Sequence, residues 1–291
     1  MALIENTLFG VEDKVANSIE ALRTFEPKEG YYVAFSGGKD SVVIKKLCDL
    51  AGVKYDAHYR VTSVDPPELV QFIKEAYPDV HRDIPHYSDG KPITMWNLIP
   101  KVGMPPTRIM RYCCEKLKED GGEGRITITG VRWAESTRRR QSRGFADVVD
   151  GEKGRMRFLN NDNDAIRQFT ESCYRLKKTI INPIINWEDE DVWEFIHKYD
   201  VPYCKLYDEG FHRLGCIGCP MSTAAAAELE RYPKYKAMYL RAFDKMLDVR
   251  RERERESRWR NAEEVMSWWL SDRAKTDKPI DGQIEMDFED L

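Results

Sequence analysis

The segment Ser36–Ser41 has the residue types and the spacing needed to hold a phosphate group. It runs Ser-Gly-Gly-Lys-Asp-Ser, follows the apolar run Tyr31–Phe35 and precedes apolar residues at helical spacing. Adjacent glycines let the backbone bend tightly and approach a ligand without a Cβ in the way. The hydroxyls, the backbone N–H groups and the N-terminus of the next helix then face one point. The candidate phosphate-binding residues are Ser36, Gly37, Gly38, Lys39, Asp40 and Ser41.

Spacing separates this loop from two better-known phosphate-binding motifs. It is not Gly-x-x-x-x-Gly-Lys-Ser/Thr, which is typical of P-loop kinases and GTPases, nor Gly-x-Gly-x-x-Gly, which is typical of dinucleotide binding. Two glycines between a strand and a helix also occur as a plain connection. The full hexapeptide, with hydroxyls at both ends, favours phosphate binding over that alternative.

A second candidate anion site follows the predicted strand at 126–130. Five arginines lie within residues 132–143 against a single acid, Glu135. Guanidinium groups fork onto phosphate or sulfate oxygens, so Arg132 and Arg138 are predicted to clamp an anion. The alternative is that these arginines form a surface patch that binds nucleic acid. The two interpretations are compatible if the protein acts on nucleic acid.

Four of the seven cysteines are spaced as candidate metal or cluster ligands: Cys113, Cys114, Cys216 and Cys219. A Cys-x-x-Cys pair can hold one ion, and a distant pair can complete four ligands. Adjacent cysteines rarely chelate one zinc ion together, whereas an iron–sulfur cluster offers a separate iron to each thiolate. A [4Fe–4S] cluster is therefore predicted, with zinc as the second choice and unliganded thiols as the third. Cys48, Cys173 and Cys204 are predicted to be simple thiols.

The loop resembles the pyrophosphate loop, Ser-Gly-Gly-x-Asp-Ser/Thr, of the PP-loop ATP pyrophosphatases and the phosphoadenosine phosphosulfate (PAPS) reductase family. Residues 130–136 resemble the Gly-x-Arg-x-x-x-Ser motif of that superfamily, which implies a nucleotide-site role for Arg132 and Ser136. The resemblance implies ATP and Mg²⁺ as ligands and catalytic roles for Lys39, Asp40 and Arg132. The cysteine pattern resembles the cluster-bearing branch, which includes adenylylsulfate reductases and DNA phosphorothioation enzymes.

The chain departs from the reductases at one point. Those enzymes carry a late nucleophilic cysteine in a Glu-Cys-Gly-x-His motif, and no cysteine follows Cys219 here. The sequence therefore favours ATP cleavage to AMP and pyrophosphate, adenylation of an acceptor, and sulfur transfer from a cysteine desulfurase or another donor. The alternatives are a sulfonucleotide reductase that uses an external thiol and a non-catalytic nucleotide-binding assembly subunit. DNA, tRNA and a small molecule all fit as the acceptor.

Strands that alternate with helices predict an α/β fold with a parallel sheet, and the resemblance implies an adenine nucleotide alpha-hydrolase-like, Rossmann-like domain. Strands are expected near 31–35, 53–62, 80–84, 126–130 and 179–184, and helices near 11–25, 69–73 and 189–199. Residues 144–170 are predicted to form a long loop. The predicted domains are 1–221, with loop and cysteines, a helical extension at 222–274, and an acidic, disordered tail at 275–291.

Composition narrows the class of protein. The 291 residues carry a net charge of −4, which argues against a uniformly basic nucleic-acid binder. No apolar run is long enough to span a membrane, and the N-terminus lacks the pattern of a signal peptide. We therefore expect a cytoplasmic protein without disulfides and without a membrane partner. The sequence gives no indication of an oligomeric state.

Overall fold

The computed structural model of the chain describes residues 3–7, 10–135, 140, 144–150, 154–158 and 178–271. The chain divides into two compact units. The sheet unit comprises Met1–Tyr59, Pro67–Asp83 and Gly121–Leu214, and the helical unit comprises Arg60–Pro66, Ile84–Asp120 and Gly215–Leu291. Both units are discontinuous in sequence, so this division differs from the linear boundary predicted after residue 221. The predicted tail at 275–291 lies outside the described residues.

Within the described ranges the strands are β1 Ile4–Thr7, β2 Gly10–Asp13, β3 Tyr31–Ala34, β4 Tyr55–Arg60, β5 His81–Asp83, β6 Ile126–Ile128, β7 Ala146–Asp150, β8 Gly154–Phe158 and β9 Lys178–Ile181. The helices there are α1 Lys14–Thr24, α2 Lys39–Ala51, α3 Pro67–Ala76, α4 Met95–Val102, α5 Tyr112–Cys114, α6 Asp189–Lys198, α7 Ala225–Arg231, α8 Pro233–Glu252 and α9 Ala262–Leu270. A π-helical turn, Glu115–Glu119, continues α5, and short 3₁₀ turns lie at Trp133–Glu135 and Lys205–Tyr207.

The main sheet has the strand order β5-β4-β3-β6-β9-β7-β8. Its first five strands form a parallel, Rossmann-like sheet flanked by helices, as predicted, and β7 and β8 extend it in antiparallel direction. β3 pairs with β4 on one side and with β6 on the other. Tyr31 and Val33 of β3 are fully buried, as expected for the central strand of a sheet that is covered on both faces. The carboxyl ends of β3 and β6 are therefore neighbours, and ligands bind at such ends in parallel sheets.

The prediction of a loop over residues 144–170 is wrong where the structure describes that segment. β7 and β8 pair with each other, and β7 pairs with β9 through the register Ala146↔Ile181. Backbone hydrogen bonds to a strand that comes later in the chain hold this segment, and local composition does not reveal them. The predicted N-terminal helix is shorter than expected, because Val11 belongs to β2 and α1 begins at Lys14.

The helical unit has an apolar core of its own. α4 and α8 pack together and α9 packs on α8, which buries Leu98, Phe243 and Trp269. Thr94 caps the N-terminus of α4 through a capping box. Residues 250–256 are all charged, yet α8 ends at Glu252 and Arg250 is buried, donating to the Gly103 carbonyl at 2.9 Å. None of the described helices is both long and apolar enough to cross a membrane.

Candidate functional site

The loop between β3 and α2 turns sharply because of one glycine. Gly37 has φ +73°, a left-handed conformation that favours glycine. A Cβ at this position would lie 2.7 Å from Ile73 Cδ1 and 2.8 Å from Leu69 Cδ1, so α3 leaves no room for a side chain. The loop therefore packs directly on α3 and needs glycine at this point.

Hydrogen bonds within the loop arrange its polar groups. Ser41 Oγ donates to the Gly38 carbonyl at 2.9 Å and lies 3.4 Å from Ser36 Oγ. α2 begins at Lys39, and no side chain caps its N-terminus from Gly38. The first N–H groups of a helix have no partner within the helix, and together with the helix dipole they favour an anion. The loop thus has the geometry of an anion site at the N-terminus of α2, a helix of thirteen residues.

The end of β6 lies against the start of α2. A Cβ on Gly130 would be 2.9 Å from Asp40 Cβ and 3.0 Å from its carbonyl carbon. Because the backbone of Asp40 cannot move away without moving α2, a residue larger than glycine does not fit here. This contact places Arg132, two residues further along, beside Asp40.

Four charged side chains form a closed network in this cleft: Lys39, Asp40, Arg132 and Asp189. Lys39 Nζ lies 3.6 Å from Asp40 Oδ2 and 3.4 Å from Asp189 Oδ1. Arg132 Nε donates to Asp40 Oδ1 at 2.7 Å, a second guanidinium nitrogen donates to Asp189, and Nη1 donates to the Trp187 carbonyl at 3.2 Å. Arg132 is only 1% exposed. Its side chain therefore holds two carboxylates in place.

The network shifts the pKa values of two of its members. Burial opposes the charge of Arg132, but Asp40 and Asp189 outweigh it and raise the pKa of the guanidinium. Partial burial likewise opposes the charge of Asp189, but Arg132 and Lys39 hold the pKa of this carboxyl below its ordinary value. Arg132 and Asp189 are therefore charged at neutral pH.

The network lines a cleft of about 390 Å³. Residues from the loop, from the β6 end and from the segment before Gly215 line it: Ala34, Ser36, Gly38, Lys39, Asp40, Ser41, Gly130, Val131, Arg132, Ala134, Glu135, Asp189, Tyr207, His212, Arg213 and Leu214. Five of the predicted loop residues and Arg132 thus come together in one cleft. Gly37 belongs to the same loop but faces α3, and Ser136 and Arg138 lie outside the described residues.

Sequence reasoning missed four polar side chains of this cleft: Asp189, Tyr207, His212 and Arg213. Asp189 opens α6, and an acidic run just before an apolar helical pattern was visible in the sequence. That run is also typical of an ordinary helix start, so it carried no functional signal. The other three lie in the irregular segment after residue 204, where spacing indicates nothing about which strand end the side chains reach.

The four predicted cluster ligands all belong to the helical unit. Cys113 and Cys114 end α5, and Cys216 and Cys219 flank a turn in which Cys219 N–H donates to the Cys216 carbonyl at 3.2 Å. Cys113 lies within electrostatic range of the other three thiols. Folding thus brings together two pairs that are far apart in sequence.

Two cations accompany these thiols. Arg111 Nη2 lies 3.4 Å from Cys114 Sγ, and the Lys118 ammonium lies near enough to Cys216 to favour its thiolate. The neighbouring Cys113 thiol, helped by Arg111, lowers the pKa of Cys114 to about 5. Burial raises the pKa of Cys216 to about 11, although Lys118 works against it. The cysteine group therefore combines thiols with positive charges that can offset the negative charge of bound thiolates.

These thiols are not arranged as ligands of one ion. Among the described residues, no three His, Cys, Asp or Glu side chains are placed to hold a single metal ion. Thiolates around one zinc ion must all lie about 2.3 Å from it.

The sequence profile of the phosphoadenosine phosphosulfate reductase domain matches residues 30–222, which is more than half of the chain. The chain belongs to this family. Adenosine 5'-phosphosulfate reductase of Staphylococcus haemolyticus is 32% identical over 213 residues, which cover 68% of this chain and 73% of that protein. The match to the family includes the loop, the β6 end and all four cysteines of the cysteine group.

Two further comparisons concern longer or more distant proteins. An uncharacterized protein of Methanocaldococcus jannaschii is 26% identical over 74% of this chain. This chain spans only 46% of that protein and 42% of a second relative from the same organism, so it covers less than half of their length. The crystal structure of phosphoadenylyl-sulfate reductase from Candida auris matches with a TM-score of 0.42 and 18% identity, covering 69% of this chain and 88% of that chain.

Proposed function

We propose that this family member binds ATP with Mg²⁺ in the cleft, cleaves it between the α and β phosphates, and transfers AMP to an acceptor that then receives sulfur. In that step an acceptor oxygen forms a bond to the α-phosphorus, and the bond to the bridging oxygen breaks. The electron pair leaves with pyrophosphate. The terminal sulfur of a persulfide on a cysteine desulfurase or another donor then attacks the acceptor and displaces AMP, and a second thiol reduces the resulting disulfide so that the sulfur stays on the acceptor.

The observation that carries the proposal is the mixture of charges beside the phosphate loop. Lys39 and Arg213 suit phosphate oxygens, whereas Asp40 and Asp189 would repel a bare anion. A polyphosphate that carries a divalent cation matches both kinds of side chain: its phosphates match the cationic residues, and its cation matches the carboxylates. A sulfonucleotide needs no such cation, so the carboxylates favour ATP over that substrate class.

Different residues of the cleft are assigned different roles in this reaction. The positive end of the α2 dipole and the Lys39 ammonium attract phosphate oxygens and stabilise the charge that develops on leaving pyrophosphate. Asp40 and Asp189 would hold Mg²⁺ brought by ATP, which acts as a Lewis acid on the phosphates. Arg132 keeps these two carboxylates aligned through its own hydrogen bonds. Ser36 and Ser41 place their hydroxyl groups in the same cleft.

The cysteine group would hold a [4Fe–4S] cluster through Cys113, Cys114, Cys216 and Cys219. Four thiols with Arg111 and Lys118 beside them are the observation that supports this assignment. Such a cluster supplies either structural cross-linking or a site that carries sulfur. The acceptor classes that fit are DNA, tRNA and a small molecule.

Pyrophosphate release from ATP tests the proposed reaction. Protein reconstituted anaerobically should release pyrophosphate with candidate acceptors, and Lys39→Ala should abolish release. Lys198→Ala, an exposed lysine at the end of α6, is the matched control and should retain activity. Absence of ATP turnover with DNA, tRNA and small-molecule acceptors would rule the reaction out.

Iron and acid-labile sulfide analysis tests the cluster separately. Protein purified without oxygen should contain iron and sulfide, and Cys216→Ser should lose most of both. Cys48→Ala, which removes a fully buried thiol of the sheet unit, should keep its iron. Stoichiometric zinc with no iron would assign the site to zinc instead.

A second candidate function is reduction of adenosine 5'-phosphosulfate. The names of several relatives favour it, including the enzyme of Staphylococcus haemolyticus. No cysteine follows Cys219 in this sequence, so the attacking thiol would come from another protein. Sulfite release from adenosine 5'-phosphosulfate in the presence of thioredoxin, without ATP cleavage, would establish this alternative. Tight nucleotide binding without either product would indicate a non-catalytic assembly subunit.

A further inference from the structure

The hydroxyl of Tyr207 occupies an unusual position in the cleft. Tyr207 ends the short 3₁₀ turn Lys205–Tyr207 and lines the same cleft as the phosphate loop. Its Oη accepts a hydrogen bond from the Lys39 backbone N–H at 2.8 Å. The Lys39 backbone N–H therefore fixes this oxygen beside the loop.

The hydrogen-bonding capacity of a phenol determines whether the Tyr207 hydroxyl can still donate to a ligand. A tyrosine hydroxyl has one proton to donate and lone pairs that accept. The Lys39 N–H uses its accepting capacity, and in the described part of the chain Tyr207 donates to no group. Burial raises the pKa of Tyr207, so the hydroxyl keeps its proton at neutral pH. The proton is thus available to an acceptor that enters the cleft.

The ring of Tyr207 is held so that this hydroxyl stays beside the loop. The Trp193 ring packs edge-on against it, with ring centres 5.2 Å apart. The preceding residue, Leu206, is fully buried and anchors the turn. A Cβ built on Gly38 would lie 3.4 Å from both Ser36 Oγ and Tyr207 Oη, so these two hydroxyls approach the same glycine. A ligand oxygen at Gly38 can therefore reach both.

We propose that Tyr207 is a phosphate-binding residue that donates its hydroxyl proton to a phosphoryl oxygen held by the loop Ser36–Ser41. The assignment rests on the nucleotide site proposed above and adds a donor from outside the family loop. Because the Lys39 N–H donates to the same oxygen, it polarises the O–H bond and strengthens its donation. Tyr207 would thus act on the phosphates and not on the adenosine.

Binding of ATP, pyrophosphate and adenosine to Tyr207→Phe, measured by calorimetry, tests the assignment. Loss of one hydrogen bond to a charged group should weaken ATP and pyrophosphate binding about 10- to 100-fold. Adenosine binding should not change, whereas general damage to the cleft would weaken all three. Tyr203→Phe is the matched control, because its ring also packs on Trp193 and its hydroxyl bonds to Asp208 outside the cleft. That variant should bind all three ligands normally.

The outcomes separate the two proposals. If wild-type protein binds neither ATP nor pyrophosphate, the nucleotide site itself is wrong. If wild-type protein binds them and Tyr207→Phe binds them equally or more tightly, the hydroxyl only satisfies the Lys39 N–H and the assignment to Tyr207 fails. Should Tyr207→Phe fold poorly, 3-fluorotyrosine incorporated at position 207 keeps the ring and offers a more acidic proton. Pyrophosphate should then bind more tightly, and equal or weaker binding would overturn the assignment.

Discussion

The phosphate loop and the cysteine group place their chemistry in different ways. In the loop, backbone meets backbone: Gly130 touches Asp40 closely enough that no Cβ fits between them. In the cysteine group, side chains from two distant stretches meet, and Cys113 and Cys216 pack on the apolar core of the helical unit. Backbone contacts fix a position but leave no spare volume, whereas side-chain contacts adapt. The two regions should therefore respond unequally to the same small change.

The largest effect is expected from Gly130→Ala. Its methyl group would meet backbone atoms of Asp40 at 3.0–3.1 Å, so β6 and α2 must separate. We expect a loss of about 3 kcal/mol in the free energy of unfolding, measured with urea, because overpacking of this kind is not relieved by side-chain rotation. Gly215→Ala, where a Cβ meets nothing within 4 Å, is the control and should be neutral or slightly stabilising. Equal effects at both positions would contradict the close contact.

Arg132→Met should give the next largest effect. It leaves Asp40 and Asp189 without their guanidinium partner, and we expect a loss of about 2 kcal/mol, below the usual value for a broken buried pair because both carboxylates reach solvent. The exposed Arg251, which pairs with Asp248, provides a control, since Arg251→Met should change stability by less than about 0.5 kcal/mol. A neutral Arg132→Met would show that the network is not structural.

Gly218→Ala adds a methyl group to a glycine beside the cysteine group, as Gly130→Ala does beside the phosphate loop. Gly218 has φ +70°, so alanine there is strained, but its Cβ would meet only side chains, Leu229 at 3.2 Å and Trp269 at 3.3 Å. Because these side chains can shift, we expect a loss of about 1.5 kcal/mol, roughly half of that for Gly130→Ala. If Gly218→Ala is the more damaging of the two, the contrast between backbone and side-chain placement fails.

The smallest expected effect concerns pH. The pKa of Asp189 is held below its ordinary value, so its contribution to stability is present above the pKa of the unfolded chain, near ~3.9. This contribution is lost as pH falls through the lower folded pKa. The side chain is 62% exposed, so solvent screening keeps the effect below about 1 kcal/mol. Urea midpoints between neutral and acidic pH should fall less steeply in Asp189→Asn, and parallel curves would contradict the coupling.

The same contrast explains what the sequence could predict. Ser36–Ser41 is a continuous segment whose chemistry depends on its own backbone, so its residue types suffice to identify it. Arg132 was found because it follows a recognisable strand, but its hydrogen bonds to two carboxylates were not foreseen. Asp189 and Tyr207 reach the cleft only through the packing of the sheet unit, and no spacing rule connects them with position 39.

The cysteines show the reverse case. Their spacing identified the four cysteines as a set, but it did not predict which helices surround them. The structure groups them with α4, α8 and α9, because the helical unit takes residues from three separate stretches of the chain. Sequence patterns detect such stretches singly, and only long-range apolar contacts join them. The strands β7 and β8 were missed for the same reason, since β7, which pairs with β8, joins the sheet through β9 further along the chain.

The discontinuity of the helical unit also sets an order of events during synthesis. Cys114 leaves the ribosome about a hundred residues ahead of Cys216, a delay of about 5–20 s at ~5–20 residues per second. The helix α8, on which α4 packs, is made later still. Until then Cys113 and Cys114 have no folded unit around them and are open to oxidants and stray metals. Delivery of any metal cofactor must therefore wait until translation has passed Cys219.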